Sequence, residues 1–261
     1  MHENERQRII VKEASERALV TVSYLVDLLD ASAATIRRDI TQLHREGKIR
    51  KVRGGAEALR LPTTSPLTGR PFAISQTINA KEKRLVARAA ASLCKDGDSI
   101  IIGGGSTVFM MAEHLRDHQM QVLTNSFVIA EYLLKNSKCA VNLPAGKIYR
   151  DQNLILSPFN EDGTASFYAD RLFIGAQGIG ALGVMEADPQ IVQASSRLLK
   201  QAEQRVLVID SAKFHQRSSM ILCPLNEIDL VITDAGVDET SREMLKEHGC
   251  ELIIADDLIT E

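Results

Sequence analysis

Seven short apolar runs punctuate residues 99–254: SIII (99–102), QVLT (121–124), CAVNL (139–143), RLFI (171–174), RVLVI (205–209), IDLVI (228–232) and ELII (251–254). Between them lie helical patterns, near 106–117, 126–136, 190–204 and 238–248. A chain that alternates in this way has few folds open to it. The pattern predicts a mostly parallel sheet with helices on both faces. One more helix is predicted from about residue 79, in NAKEKRLVARAAASLCKDGDS, capped by Asn79 and stopped by Asp96-Gly97.

In open sheets of this kind, ligands sit outside the carboxyl ends of the strands. The residues directly after the predicted ends are small and polar: Gly103 to Thr107, Asn125-Ser126, Gly175-Ala176-Gln177, Asp210-Ser211 with Lys213, and Thr233-Asp234. The run GGGST is the most informative. Glycine lets backbone N–H groups approach a ligand closely, and a helix starting at Ser106 would add unpaired N–H groups and a positive dipole end. Ser106 and Thr107 supply hydroxyl donors, and Lys213, reaching over the same edge, a full charge. This predicts a crevice for a polar, anionic, phosphorylated molecule.

Nucleotides fit poorly. No Gly-Lys-Ser/Thr sequence is present, and a dinucleotide fingerprint would need a glycine near Val108 and an acid after the next strand, where Thr124-Asn125 stands. No cofactor is expected. His114 and His118 are four apart, but Leu115 stands where a zinc-protease helix needs glutamate, so no metal is expected either.

The first sixty residues differ electrically from the rest. The net charge is −3, yet residues 1–60 carry 12 Lys and Arg against 9 Asp and Glu, and within 35–60 the count is 8 against 3. A helix is predicted over about 4–15 with Ile9 and Ile10 inward, and a second over about 22–30 with Thr21 as N-cap. The third starts after the N-cap Ser32. Its residues Ala33, Ile36, Ile40 and Leu43 form one apolar stripe. Thr35, Arg38, Gln42 and Arg45 make a polar face, and Arg37, Thr41, His44 and Lys48 lie one step further round. Gly47 ends this helix; Ile49 and Val52 then alternate with cations before the turn at Gly54-Gly55, as in a β-hairpin wing. The whole is a winged helix-turn-helix in order, which reads as a binder of double-stranded DNA. The expected DNA-facing set is Thr21, Ser32, Ala33, Ala34, Thr35, Arg37, Arg38, Lys51, Arg53 and Gly54, with Arg38 at a base edge and Lys51 and Arg53 against phosphates. Residues 60–75, RLPTTSPLTGRPFAIS, hold three of the seven prolines. The expected division is therefore 1–58 for DNA, a linker over 59–75, and 76–261 for the effector.

The stretch VTVSYLVDLLDASAATIRRDITQLHREGKIRKVRGGA (20–56) resembles the N-terminal domain of the DeoR family of bacterial sugar-metabolism regulators. TIRRD (35–39) and GGA (54–56) are its most specific marks. Val26 stands where many members carry alanine, and Glu16-Arg17-Ala18 replaces a common glycine turn; neither touches the DNA-facing surface. The second domain resembles the sugar-phosphate-binding domain of the same family. GGGST, TNS (124–126), LPAGKIYR (143–150), FIGAQGI (173–179) and DSAKF (210–214) fall in the family's order. That domain is in turn similar to ribose-5-phosphate isomerase. The resemblance implies that Gly104, Gly105, Ser106 and Thr107 hold the phosphate and that Asn125 and Lys213 line the sugar site, with Ser126, Gly146 and Gln177 completing the effector set.

The departures bear on activity. Such isomerases carry a pair of acids in a D-G-A-D-E stretch that moves protons. Here the matching stretch, Ile174-Gly175-Ala176-Gln177-Gly178, holds no carboxylate. Ala145 replaces the first glycine of a common Gly-Gly pair, and Ser157-Pro158 replaces Gly-Pro. The expectation is a sensor with no catalytic residue: a transcriptional regulator, most often a repressor in this family, of a carbohydrate or sugar-acid utilisation operon. Its effector would be a phosphorylated sugar or sugar acid. The rivals are a sugar-phosphate isomerase or deaminase with an added DNA-binding domain, and a DNA-binding protein with a vestigial pocket. One winged helix buries too little surface to select an operator, which predicts a homodimer or homotetramer. The charged start MHENERQRII, the lack of any 18-residue apolar run and four scattered cysteines predict no signal peptide, no membrane span and a cytoplasmic setting.

Overall fold

The structure, a computed structural model, describes residues 3–17, 19–52, 54–58, 71–159 and 161–256. The chain divides into two compact units, residues 1–65 and 66–261.

In the first unit the order is α1 (Glu3–Arg17), β1 (Leu19–Thr21), α2 (Val22–Leu29), α3 (Ala33–Arg45), β2 (Ile49–Val52) and β3 (Gly55–Ala58). Thr21 Oγ1 accepts the Tyr24 amide at 3.2 Å to start α2, and Asp30, with φ 46°, turns the chain out of it. Ser32 Oγ accepts the Thr35 amide at 3.2 Å to start α3. Ile36, Ile40 and Leu43 pack in one core with Ile10, Leu25, Leu29 and Ile49. Two sequence expectations shift slightly: Ala33 and Ile9 are only half-buried.

The strand β1 has no counterpart in the sequence reading. The three strands run in the order β1-β3-β2, with Thr21 opposite Gly55. A Cβ on Gly55 would lie 2.0 Å from the Val20 carbonyl oxygen, so only glycine admits this neighbour. The two glycines therefore divide their work. Gly54, with φ 84°, turns the hairpin, and Gly55 lets β1 dock.

The second unit opens with α4 (Phe72–Ser75) and α5 (Ala80–Ala91). Residues 72–75, assigned to the linker on proline content, are thus helical: Pro71 holds the N-cap position and Phe72 and Ile74 are buried. There follow β4 (Ser99–Ile102), α6 (Ser106–Ala112), β5 (Gln121–Thr124), α7 (Phe127–Asn136), β6 (Ala140–Asn142), β7 (Lys147–Tyr149), β8 (Leu154–Leu156) and β9 (Ala169–Ile174). The remainder is β10 (Gly178–Gly180), β11 (Gly183–Glu186), α8 (Pro189–Leu199), β12 (Ala202–Val208), β13 (Met220–Cys223), β14 (Leu230–Asp234), α9 (Glu239–Glu247) and β15 (Glu251–Ala255).

The seven predicted apolar runs all enter one sheet, ordered β15-β14-β12-β9-β4-β5-β6, and every pairing in it is parallel. Winding reverses between β4 and β9. Alternate residues of β4 feed opposite cores, Ile100 and Ile102 on one face and Ile101 on the other. The helix expected over 190–204 ends at Leu199, because the chain then pairs Ala202 with Ala169 as β12. The helix expected over 106–117 closes at Ala112. A small antiparallel sheet, β10-β11-β13, and the β7–β8 hairpin complete the unit. All four cysteines are buried and free, and burial pushes the thiols of Cys94 and Cys223 up to about 12. No described helix is long and apolar enough to cross a membrane.

Candidate functional site

In the first unit, α3 presents Arg37, Arg38, Gln42 and Arg45 to solvent, with Thr41 half-buried between them. The wing leans on this helix: Lys51 Nζ donates to Thr41 Oγ1 at 2.9 Å. Arg50 is tied to Glu57 across the hairpin, Nε to Oε2 at 2.8 Å, which leaves Lys51 on the side of α3. Thr21, Ser32, Ala34 and Gly54 are exposed, Ala33 and Thr35 half-buried, and Arg53 lies outside the described residues. The result is a cationic helix face with a cation from the wing beside it, suited to the grooves and phosphates of a duplex.

Asp39, inside the TIRRD stretch, faces the other way. It is 2% exposed and takes two bonds from Arg6, Nε to Oδ2 at 2.6 Å and Nη2 to Oδ1 at 3.3 Å. Gln7 Nε2 reaches Gln42 Oε1 at 3.2 Å. These contacts clamp α1 to α3. They were not legible in the sequence, since Arg6 and Gln7 look like ordinary polar residues of an exposed helix.

In the second unit a crevice opens at the carboxyl ends of β4, β9 and β12, over the reversal in strand order. Gly104, Gly105, Ser106 and Thr107 form one wall. Gly105 has φ 126°, a conformation that favours glycine, and both hydroxyl residues are buried. The helix they begin has seven residues, so the loop backbone and hydroxyls matter more than its dipole. Gly104 is seated under the hairpin: a Cβ there would lie 2.2 Å from Leu154 Cδ2. Gly175 and Gln177 from the end of β9 also line the crevice.

Beyond them stands Lys213, on the 3-10 turn Ser211–His215, donating to Gln216 Oε1 at 3.2 Å. Asp210, just before that turn, is 1% exposed; its Oδ1 accepts the Asn79 side-chain amide at 2.7 Å, and its Oδ2 has no partner among the described residues. Asn79 holds the N-cap position of α5, as expected, but its side chain caps nothing and turns to Asp210 instead.

The sequence places Asp210 at this edge and leaves the 174–178 stretch without a carboxylate; the structure adds one further acid. Glu186, at the end of β11, joins Asp210 in the lining. Burial pushes its carboxyl up to about 7, against the pull of the Lys213 charge. No sequence rule pointed to Glu186, because it closes an antiparallel strand while the crevice rule looks only at parallel ends.

Three expected effector residues lie apart from the lining. Asn125 and Ser126 are buried one strand over, under the β7–β8 hairpin; the Ile155 amide donates to the Asn125 carbonyl at 2.7 Å. Asn125 Oδ1 and Nδ2 and Ser126 Oγ have no partner among the described residues. Gly146 stands at the foot of the hairpin, where a Cβ would lie 2.6 Å from the Leu156 carbonyl oxygen. Its role there is close approach of two chain segments. Phe72, which does line the crevice, donates its amide to the Asp151 carbonyl at 2.9 Å and sets its ring edge-on to Phe109 at 5.6 Å.

Residues 6–60 match the DeoR-like helix-turn-helix domain, and residues 78–235 match the DeoR C terminal sensor domain. The HTH-type transcriptional regulators UlaR of Shigella dysenteriae serotype 1 (strain Sd197) and of Escherichia coli (strain K12 / DH10B) are similar end to end. Each is 30% identical over 254 residues, 97% of this chain and 99% of the relative. Among solved structures, ribose 5-phosphate isomerase A from Methanocaldococcus jannaschii aligns with a TM-score of 0.38 at 18% identity, over 52% of this chain and 54% of that one. The full-length sorbitol operon regulator SorC from Klebsiella pneumoniae aligns with a TM-score of 0.37 at 12% identity, over 98% and 97%.

Proposed function

The chain belongs to the DeoR family, and from that premise we propose that it is a cytoplasmic repressor of a carbohydrate or sugar-acid operon, released or held by a phosphorylated sugar effector. One observation carries the effector half of this reading. The loop Gly104–Thr107 walls a crevice at the reversal of strand order, where backbone N–H groups, two hydroxyls and Lys213 suit a phosphate. The cationic face of α3 supports the other half. The protein acts as a homodimer or homotetramer, because repeated half-sites supply the selectivity one module lacks.

The test is fluorescence anisotropy of the full chain on promoter fragments from around its own gene, at low and high salt, with and without sugar phosphates. Binding should fall steeply with salt. One sugar phosphate should shift the affinity by about 5–150-fold, the usual range of allosteric coupling. Failure to bind any fragment at low ionic strength would overturn the reading.

A second reading deserves its own experiment because Glu186 and Asp210 line the crevice. Carboxyls placed so are competent to move protons, as an isomerase requires. Against it, Gln177 occupies the acid-bearing stretch. Deuterium uptake from solvent into a bound sugar phosphate would favour the enzyme; its absence with retained binding favours the sensor.

A further inference from the structure

The crevice has two chemically different ends with a bare floor between them. At one end is the glycine loop after β4. At the other is Asp210 after β12, two strands away in the order β4-β9-β12, or roughly 10 Å at the usual strand spacing. Between them lies Gly175, whose absent side chain would have pointed between the Gly104 carbonyl oxygen, at 3.7 Å, and the Val208 carbonyl oxygen, at 3.9 Å. No side chain rises from position 175 between the loop and the carboxylate.

The far end is built to receive hydrogen bonds. Asp210 is 1% exposed, its Oδ1 is engaged by Asn79, and its Oδ2 has no partner among the described residues. A buried carboxylate oxygen without a donor is costly, and a ligand donor removes that cost. Glu186 adds a second carboxyl to the same lining. Lys83 Nζ donates to the Ser75 carbonyl and Lys213 Nζ to Gln216 Oε1, and neither donates to Asp210 Oδ2.

We propose that Asp210 and Glu186 form the far half of the effector site and select the phosphate ester of an open polyol or amino-polyol over the phosphate ester of a sugar acid. The selection is electrostatic. Hydroxyl or ammonium donors satisfy Asp210 Oδ2, whereas a ligand carboxylate has no donor to offer that oxygen and sets like charge beside it. An extended chain of about six carbons reaches from the loop to that oxygen, given the roughly 10 Å between them. The inference rests on the phosphate reading of the Gly104–Thr107 loop and narrows it.

The experiment is calorimetric titration of the full chain with inorganic phosphate and with hexitol 6-phosphates and hexonate 6-phosphates matched in configuration. At least one hexitol 6-phosphate should bind ten-fold or more tightly than its hexonate partner. Asp210→Asn, which keeps an acceptor for Asn79, and Glu186→Gln should each shrink that preference several-fold. Should Asp210→Asn not fold, Glu186→Gln decides alone. Equal or tighter binding of the hexonates, or a preference untouched by the substitutions, overturns the proposal. Binding of inorganic phosphate with no gain from any hexitol ester overturns it too. If no phosphate compound binds, inorganic phosphate included, it is the loop assignment that has failed.

Discussion

Asn79 donates its side-chain amide to Asp210 Oδ1 across 2.7 Å, a bond between residues 131 positions apart. It fixes the start of α5 to the end of β12, and it does so from a left-handed backbone, φ 51°, that few side chains tolerate. Two substitutions separate these contributions. Asn79→Gly loses the bond but suits the backbone; Asn79→Ala loses the bond and adds strain of about 1–2 kcal/mol. Denaturant titration should place alanine below glycine by that margin, and both below the parent by about 1–3 kcal/mol for the stranded carboxylate. Equal stabilities for the two variants would refute the strain argument.

The contact between Gly104 and Leu154 predicts a compensating pair. Gly104→Ala drives a methyl into Leu154 Cδ2 and should cost about 1–3 kcal/mol. In the double variant Gly104→Ala/Leu154→Ala that clash disappears, so stability should match Leu154→Ala alone. A double-mutant cycle reads this as a coupling of about 1 kcal/mol or more; additive costs would show that the hairpin does not rest on the loop.

Arg6 and Asp39 should behave as a partly buried ion pair. Their side chains are 13% and 2% exposed, so Arg6→Ala strands the deeper charge and should cost about 3–5 kcal/mol, more than Asp39→Ala. Replacing both, as Arg6→Met/Asp39→Leu, should recover most of the loss. Scanning calorimetry of the full chain would check the order; a milder effect for Arg6→Ala would reverse the burial argument.

On the DNA face, Arg38→Ala should cost about 1–3 kcal/mol and relax selection at one base position. Lys51→Ala should weaken all sequences alike and lower the salt slope by about one unit. If operator preference survives Arg38→Ala, Arg37 becomes the base reader.

Glu186 gives a pH signature. Its carboxyl moves from an ordinary 4.5 to about 7 in the fold. Between those values the folded chain keeps a proton that the unfolded chain has released, so stability falls as pH rises. The contribution is whole below about pH 4.5 and lost above about pH 7, at most about 3 kcal/mol and less where water reaches the carboxyl. Relative to the parent, Glu186→Gln should gain stability across that window; parallel curves would remove the burial claim.

The parts legible in the sequence were those with a one-dimensional signature. The central strands are buried on both faces, so they read as unbroken apolar runs, and the Gly104–Thr107 loop announces itself by composition. What stayed hidden depends on partners far along the chain. The strand at Leu19–Thr21 is three residues long and exists only because Gly55 admits it. Glu186 belongs to the crevice through a three-stranded antiparallel sheet whose strands are too short to stand out. Asn79 looked like an ordinary cap because its true acceptor lies on another strand.

The bond from the Phe72 amide to the Asp151 carbonyl uses no side chain at all. Among the standard amino acids only proline at position 72 would remove its donor outright; any other exchange leaves the tether's chemistry intact. Lifting the tip of the β7–β8 hairpin beyond hydrogen-bond reach must therefore either sever that link or drag residue 72 along. The roof of the crevice and the doorstep of the second unit are stitched together in backbone.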